Sequence, residues 1–411
     1  MGDPGSARVL LFTLVIGSLI GTLEASGGVA GFVNWVEERQ WVGTPRRARL
    51  MAWIVGSIIF IESNITVLVA GSLSRPLFDR FRVSREKLAY LIDSTSAPIC
   101  VLIPLNAWGA YVLAILGTLG VANGLNVFIE SIPLNFYAIF AWLLSGFVAV
   151  TGMAWVGMDR AERRVQGGEL LREGSVPALD TEIFAADPDM KGRPRASTMI
   201  LPILTMILMM PVGLYITGDG DLTAGTGSIA VLWAVLSALG VAWALLLFAG
   251  ATVDQLTRIG LRGAGGLIGL TTIMALALAL GNVTGELGTG PYVASVAEGV
   301  FPPWILLPLV FVVSAGIAFS TGTSWGTFAI MIPIAVPTAS VMGLPLAPFL
   351  AATLSGGIFG DHSSPISDTS IISSMAAAVD HIDHVRTQLP YALAAGSVAA
   401  IAFAITGAMI G

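Results

Sequence analysis

Charge is what this 411-residue chain has least of: Asp, Glu, Lys and Arg together make up 11% of it. A soluble domain is about one-quarter charged, so the chain lacks the polar surface to wrap a water-soluble globule of its length. It has a single cysteine, Cys100, which excludes an internal disulfide framework. Three histidines are too few for a His- and Cys-rich metal centre. The net charge of −6 excludes a basic nucleic-acid-binding surface. What is abundant is apolar: 55% hydrophobic residues, a mean hydropathy of +0.84, and 48 glycines of the kind that membrane helices tolerate. The composition is that of an all-α polytopic membrane protein.

Apolar stretches run near 9–33, 50–74, 88–121, 133–157, 198–217, 228–249, 264–284, 304–340, 347–376 and 389–410. Each is long enough to cross a bilayer, which takes about 20 residues. The first follows Met1–Arg8 in the manner of a signal peptide, but its pattern recurs later in the chain and is therefore read as a membrane segment. Between 159 and 195 lie 15 charged residues, read as one long polar loop.

Anchors in the first half return in the same order in the second. Glu24–Gly28 answers to Glu286–Gly290 and Phe60–Thr66 to Phe319–Thr327. Asp93–Ile99 answers to Asp361–Ile366, and Ile132-Pro133 to Leu389-Pro390, at offsets between 257 and 268. Matches in register at a nearly constant offset indicate internal duplication. The basic segments 39–49 and 75–87 of the first copy have counterparts near 296–303 and 339–346 that carry no Lys or Arg. Under the positive-inside tendency, equivalent loops then lie on opposite faces, so the repeats are inverted. The expected organisation is a first repeat over 1–158, a cytoplasmic loop over 159–195, two linking helices over 196–262 and a second repeat over 263–411.

Both ends of 50–74 are basic, so that stretch enters and leaves on one side. Two half-helices of about eleven residues rise only about 16 Å, which reaches the bilayer middle. The stretch is therefore expected to be a re-entrant hairpin with its tip near Glu62-Ser63-Asn64-Ile65-Thr66, and 304–340 a second one with its tip near Thr321–Thr327. Two transmembrane helices are expected to be broken, one at Asp93-Ser94-Thr95-Ser96-Ala97-Pro98 and one at Gly360-Asp361-His362-Ser363-Ser364-Pro365. Proline removes a backbone donor and opens the helix upstream of it. Irregular backbone at membrane depth is tolerated where it lines a cavity, the usual construction of a secondary transporter.

Carboxylates, hydroxyls and freed carbonyls at such breaks form a hard-oxygen set that suits Na⁺. Asp93, Ser94, Thr95, Ser96, Asp361, Ser363 and Ser364 are the candidate ligands, with Na⁺ at Asp93 and Asp361. A buried carboxylate in a bilayer is costly and more often functional than ornamental; for Asp93 the plain alternative is a helix N-cap. Asp368 lies two helical turns past Asp361, so both can face one cavity, and His362 could tune the local pKa. Glu62 is a candidate proton carrier, and Asn64, Thr66, Thr323, Ser324 and Thr327 could orient cargo from the hairpin tips or merely bond back to their own helices. Glu24 and Glu286 fall at helix ends. Asp380-His381-Ile382-Asp383-His384 mimics metal-ligand spacing but is expected to be a solvated amphipathic turn in a cytoplasmic loop.

Three stretches carry a family resemblance: VSREKLAYLIDSTSAPICVLIPLNAWGAYV at 83–112, FSTGTSWGTFAIMIPIA at 319–335, and SGGIFGDHSSPISDTSIISS at 355–374 leading into DHIDHVRTQLPYAL at 380–393. In these the chain resembles the NhaC family of sodium/proton antiporters. The resemblance implies an inverted-repeat transporter with elevator-like alternating access, in the inner cell membrane, as a homodimer surrounded by lipid. It implies no enzyme activity and no cofactor beyond the transported Na⁺ and H⁺. The family also holds members that resemble sodium-coupled exchangers of a small organic acid or amino acid. Relative to a full member, the chain is expected to lack an N-terminal pair of helices matching 198–217 and 228–249.

The mechanism expected from these residues is exchange at shared carboxylates. Apolar surroundings favour a protonated carboxyl and a bound cation favours the charged form, so one group cannot hold both well. Na⁺-coupled transport of an organic anion or amino acid is the alternative. No Lys or Arg lies in a predicted membrane segment to meet an anionic cargo, although helix N-termini at the hairpin tips can bind anions.

Overall fold

The computed structural model describes all residues except 1–3, 29–30, 33–34, 36–42, 61–62, 105, 122, 178–194, 222–224 and 299–300, together with a few helical side chains that include Asn64. Among the described residues the chain is helical, with one isolated β-bridge between Pro177 and Asp380. In chain order the helices are α1 (Pro4–Ala25), α2 (Pro45–Ile58), α3 (Ser63–Arg80), α4 (Arg85–Asp93), α5 (Ala97–Leu102), α6 (Ala107–Thr118), α7 (Gly124–Ser131), α8 (Phe136–Thr151), α9 (Val156–Gln166) and α10 (Ser197–Thr217). They continue as α11 (Gly227–Phe248), α12 (Val253–Gly266), α13 (Ile268–Glu286), α14 (Thr289–Glu298), α15 (Pro303–Thr321), α16 (Ser324–Val341), α17 (Leu346–Ser363), α18 (Asp368–Ala377) and α19 (His381–Ile410). Six described helical segments are long and apolar enough to cross a membrane, and many of their large apolar side chains point outward. The protein is an all-α polytopic membrane protein.

The chain forms two compact units. One comprises Met1–Trp41, Leu105–Asn126 and Asp180–Ala279; the other comprises Val42–Pro104, Val127–Leu179 and Leu280–Gly411. In the first unit, α1 packs on α12 through glycines: a Cβ at Gly17 would lie 2.6 Å from the carbonyl oxygen of Gly263.

The second unit contains the interrupted helices. The hairpin expected over 50–74 is present as α2 and α3, but its turn falls earlier than the sequence reading placed it. α2 stops at Ile58 and α3 begins at Ser63, so Ser63, Asn64 and Thr66 stand in the first turn of a helix and not at a tip. The Thr66 hydroxyl donates back to the carbonyl of Ile59, which closes the turn. The second hairpin turns at Gly322 and Thr323, within the expected region. Gly322 has φ 68°, a left-handed conformation that glycine adopts without strain, and Thr323 caps α16.

The stretch 88–121 is broken twice. Asp93 ends α4 and Ser94–Ser96 separate it from α5, as expected; a further interruption at Ile103–Asn106, which contains Pro104, precedes α6. Asn106 caps α6 by accepting from the amides of Trp108 and Gly109 at 3.0 and 3.1 Å. In 347–376 the helix α17 runs through Asp361 to Ser363, and Ser364–Ser367 form the break before α18. The polar segment 159–195 is not wholly a loop, because its beginning belongs to α9. That helix is fastened by Arg164 to Glu86 (2.6 Å) and by Glu162 to Lys87 (3.2 Å). Lys87 is itself buried and donates to the carbonyl of Gly152 at 2.9 Å.

Candidate functional site

Both principal carboxylates lie in the last turns of their helices, Asp93 in α4 and Asp361 in α17. A helix C-terminus carries roughly half a negative charge, so these positions favour cations nearby. Both residues are fully buried; Nε2 of His384 and of His362 stand 3.3 and 3.9 Å from Asp93 Oδ2, and among the described residues no Lys or Arg pairs with either carboxylate.

Asp361 is held by hydroxyls. Ser324, the first residue of α16, donates to Oδ2 at 2.7 Å, and Ser367, the cap of α18, donates to Oδ1. Thr369 lies 3.0 Å from the Ser367 hydroxyl. A hydroxyl that donates to the carboxylate keeps its lone pairs, so oxygen atoms surround this carboxylate.

Asp93 is held mainly by nitrogen. Gln388 Nε2 donates to its Oδ2 at 2.7 Å, Ser370 Oγ at 3.2 Å and His384 Nε2 at 3.3 Å, while His362 Nε2 stands 3.9 Å away. All of this falls on one oxygen: Oδ1 is buried and has no hydrogen-bond partner among the described residues. A buried acceptor left unmade costs about 1–3 kcal/mol, more when charged. His362 links the two carboxylate-bearing turns, with Nδ1 2.6 Å from the Tyr137 hydroxyl and Nε2 3.2 Å from Ser94 Oγ.

The remaining sequence candidates fall into distinct settings. Thr95 bonds back to the carbonyl of Leu91 at 2.8 Å, Ser96 to that of Asp93 at 2.8 Å, and Ser363 to that of Phe359 at 2.7 Å. Ser364 donates to the carbonyl of Phe319 at 2.7 Å, tying the break to the end of α15. Thr323 accepts the Thr327 hydroxyl on its carbonyl at 2.9 Å. Asp368 opens α18, its carboxylate accepting the Thr369 amide at 2.9 Å, and it is exposed. The two-turn spacing from Asp361 does not apply, because the chain between them is the break and not helix. Glu62 lies outside the described residues, as does the side chain of Asn64.

One sequence expectation is corrected. Asp380–His384 is the start of α19, and His384 is fully buried against Asp93 rather than solvated. The turn is amphipathic in the opposite sense to the one expected: Ile382 is exposed while Asp383 and His384 point inward. No group of three His, Cys, Asp or Glu side chains is arranged to hold a metal ion among the described residues. Sequence reasoning also missed Tyr137, Ser367, Ser370 and Gln388. His384 and Gln388 are four residues apart, one helical turn, which was the available signal for that pair; Tyr137 carried none.

Asp380 caps α19 through the amides of Ile382 and Asp383 and accepts the Val176 amide on its other oxygen at 3.0 Å. Partial burial pushes its carboxyl upward, but these amides and the Arg172 charge outweigh burial and hold it below its ordinary value. The cap therefore stabilises the fold above the ordinary carboxyl value and is lost as pH falls through the depressed one. Asp380→Ala is expected to cost about 1 kcal/mol in thermal unfolding at neutral pH. That gap should persist down to about the ordinary value of 3.8 and close below it.

A family model described as the Na⁺/H⁺ antiporter family matches residues 111–408. The chain belongs to the Na⁺/H⁺ antiporter family. An uncharacterized protein of Haemophilus influenzae is 34% identical over 97% of this chain and 78% of its own. An arginine/ornithine antiporter, ArcD of Halobacterium salinarum, is 29% identical over 54% of this chain and 44% of its own. A malate-2H⁺/Na⁺-lactate antiporter of Bacillus subtilis is 35% identical over 26% of this chain and 23% of its own. In fold, the chain is similar to the YdaH transporter of Alcanivorax borkumensis, with a TM-score of 0.61 at 14% identity, covering 98% of this chain and 85% of that one. Family and relatives together make this member a secondary transporter of the antiporter type, not an enzyme.

Proposed function

We propose that this antiporter exchanges Na⁺ for H⁺ at Asp361 and Asp93, and that it does so in the inner cell membrane. The observation that carries the reading is the Asp93 Oδ1 atom: a buried carboxylate oxygen, unpaired among the described residues, in a carboxylate that no Lys or Arg among those residues neutralises. A cation or a proton at that oxygen removes the cost of leaving it unmade. Asp361 with Ser324 and Ser367 offers a cluster of oxygen atoms, the donor chemistry Na⁺ prefers. Because a carboxyl that holds Na⁺ is a poor proton holder, and the reverse, the same groups couple the two fluxes.

The helix breaks at Ser94–Ser96 and Ser364–Ser367, and the hairpin turns before Ser63 and at Gly322, recur in the same order close to the repeat offset and support an inverted-repeat plan. All the residues of the Asp93 and Asp361 clusters belong to one compact unit, which supports elevator-type alternating access with the site carried as a body.

The test is a Na⁺ jump across proteoliposomes containing a pH-sensitive dye. Proton movement driven by Na⁺ alone is the expected result; none with Na⁺ or Li⁺ would sink the reading. A second reading, Na⁺-coupled exchange of an organic acid or amino acid, is favoured by the named activities of the Bacillus and Halobacterium relatives. It predicts thermal stabilisation of the detergent-purified protein only when Na⁺ and such a solute are both present.

A further inference from the structure

The stretch 380–393 holds Gln388, a neutral side chain fully buried in α19. Its amide nitrogen has two acceptors on two different helices. It donates to Asp93 Oδ2 at the end of α4 at 2.7 Å, and to the carbonyl of His362 in the last turn of α17 at 2.6 Å. A primary amide has two N–H groups, and both are spent here. Its Oε1 has no hydrogen-bond partner among the described residues, so the side chain is oriented by its donors alone.

The chemical type of the residue matters. A Lys or Arg at this place would bridge the same acceptors but would neutralise Asp93 and occupy the electrostatic place of a cation. The amide fixes geometry without adding charge. By taking Oδ2, together with Ser370 and His384, it leaves Oδ1 as the free oxygen of Asp93. By taking the His362 carbonyl, it ties that carboxylate to the turn in which Asp361 immediately precedes His362. Without it, the ends of α4 and α17 would still be linked by the Ser94–His362 contact, with His362 Nε2 at 3.9 Å from Asp93 Oδ2, and through Ser367 and Ser370, which meet Asp361 and Asp93 separately; Gln388 is the side chain that hydrogen-bonds both Asp93 and the backbone of the Asp361-bearing turn.

We propose that Gln388 is a positioning residue that locks the Asp93 carboxylate to the Asp361-bearing turn, so that both carboxylates are presented to the cargo cation in one arrangement. The inference rests on Asp93 and Asp361 being the ion site. The alternative role for Gln388 is packing, which Met at the same place would largely satisfy because it keeps the length and removes both N–H groups.

The experiment uses full-length protein in detergent and follows unfolding temperature against NaCl at constant ionic strength. Gln388→Met is expected to raise the half-saturating Na⁺ concentration by about 10- to 100-fold, as loss of a hydrogen-bond partner does at other metal sites. The unfolding temperature without Na⁺ should change little. Gln388→Asn, too short to span both acceptors, should act in the same direction. In an Asp93→Asn background, Gln388→Met should add less than about twofold, since contacting residues couple non-additively. A wild-type response to Na⁺ that neither variant moves, or a loss matched by equal loss of stability without Na⁺, overturns the role of Gln388 alone. No wild-type response to Na⁺ overturns the ion-site reading and this inference with it.

Discussion

Asp361→Asn is expected to abolish Na⁺-driven proton movement in proteoliposomes while leaving the protein folded. Asn is isosteric and can still meet Ser324 and Ser367, so the packing of α16, α17 and the break before α18 is retained. What goes is one of the two negative charges offered to the cation, at a carboxylate that no Lys or Arg pairs with among the described residues. Hydrogen-bond partners of a metal ligand are worth about 10- to 100-fold in affinity, so removing the charged ligand itself should cost at least about 100-fold. Ser324→Ala, which removes one hydroxyl and keeps the carboxylate, should fall about tenfold in apparent Na⁺ affinity. Full exchange activity in Asp361→Asn, with protein of normal unfolding temperature, would refute the assignment.

The second large effect is on stability. α15 packs along α17 at backbone distance, and glycines make this possible: a Cβ at Gly360 would stand 2.3 Å from the carbonyl oxygen of Ala315, and one at Gly356 would stand 2.3 Å from that of Phe311. Those neighbours are helix backbone, which has no rotamer to give way. Gly360→Val should therefore force the helices apart next to Asp361 and destabilise the protein by about 3 kcal/mol or more, beyond the usual cost of overpacking. The readout is thermal unfolding in detergent, with Gly316→Ala as the control, because a Cβ there meets nothing within 4 Å. Equal unfolding temperatures for the two variants would show that this helix pair is not packed as described.

Much of the molecule was legible in the sequence because the membrane makes charge and polarity informative. A carboxylate among apolar residues is costly, so Asp93 and Asp361 stood out in their stretches. Proline and serine clusters marked the break at 94–96 and, a few residues too early at 360–365, the one found at 364–367, because they take hydrogen bonds away from a helix. The hairpin turn before Ser63 was misplaced by a few residues because Ser, Asn and Thr serve equally well at a tip and in the first turn of the next helix. The turn 380–384 was misread because a charged, His-containing stretch beside Arg386 resembles a solvated end. Its period could not show that a carboxylate from nearly 300 residues earlier lies against His384 and accepts its Nε2 proton.

Charge scarcity, repeat offset and helix breaks follow from local composition, since each depends only on what water, lipid and the chain's own backbone demand of neighbouring residues. They determined the class of protein and pointed to its two central carboxylates. The partners of those carboxylates were decided by the tertiary structure alone. Ser324 and Ser367 meet Asp361 across a hairpin and a break, and Gln388, Ser370 and His384 meet Asp93 from two helices at the far end of the chain. Hydrogen bonds are fixed to within a few tenths of an ångström by packing between helices, and a one-dimensional pattern does not carry that information.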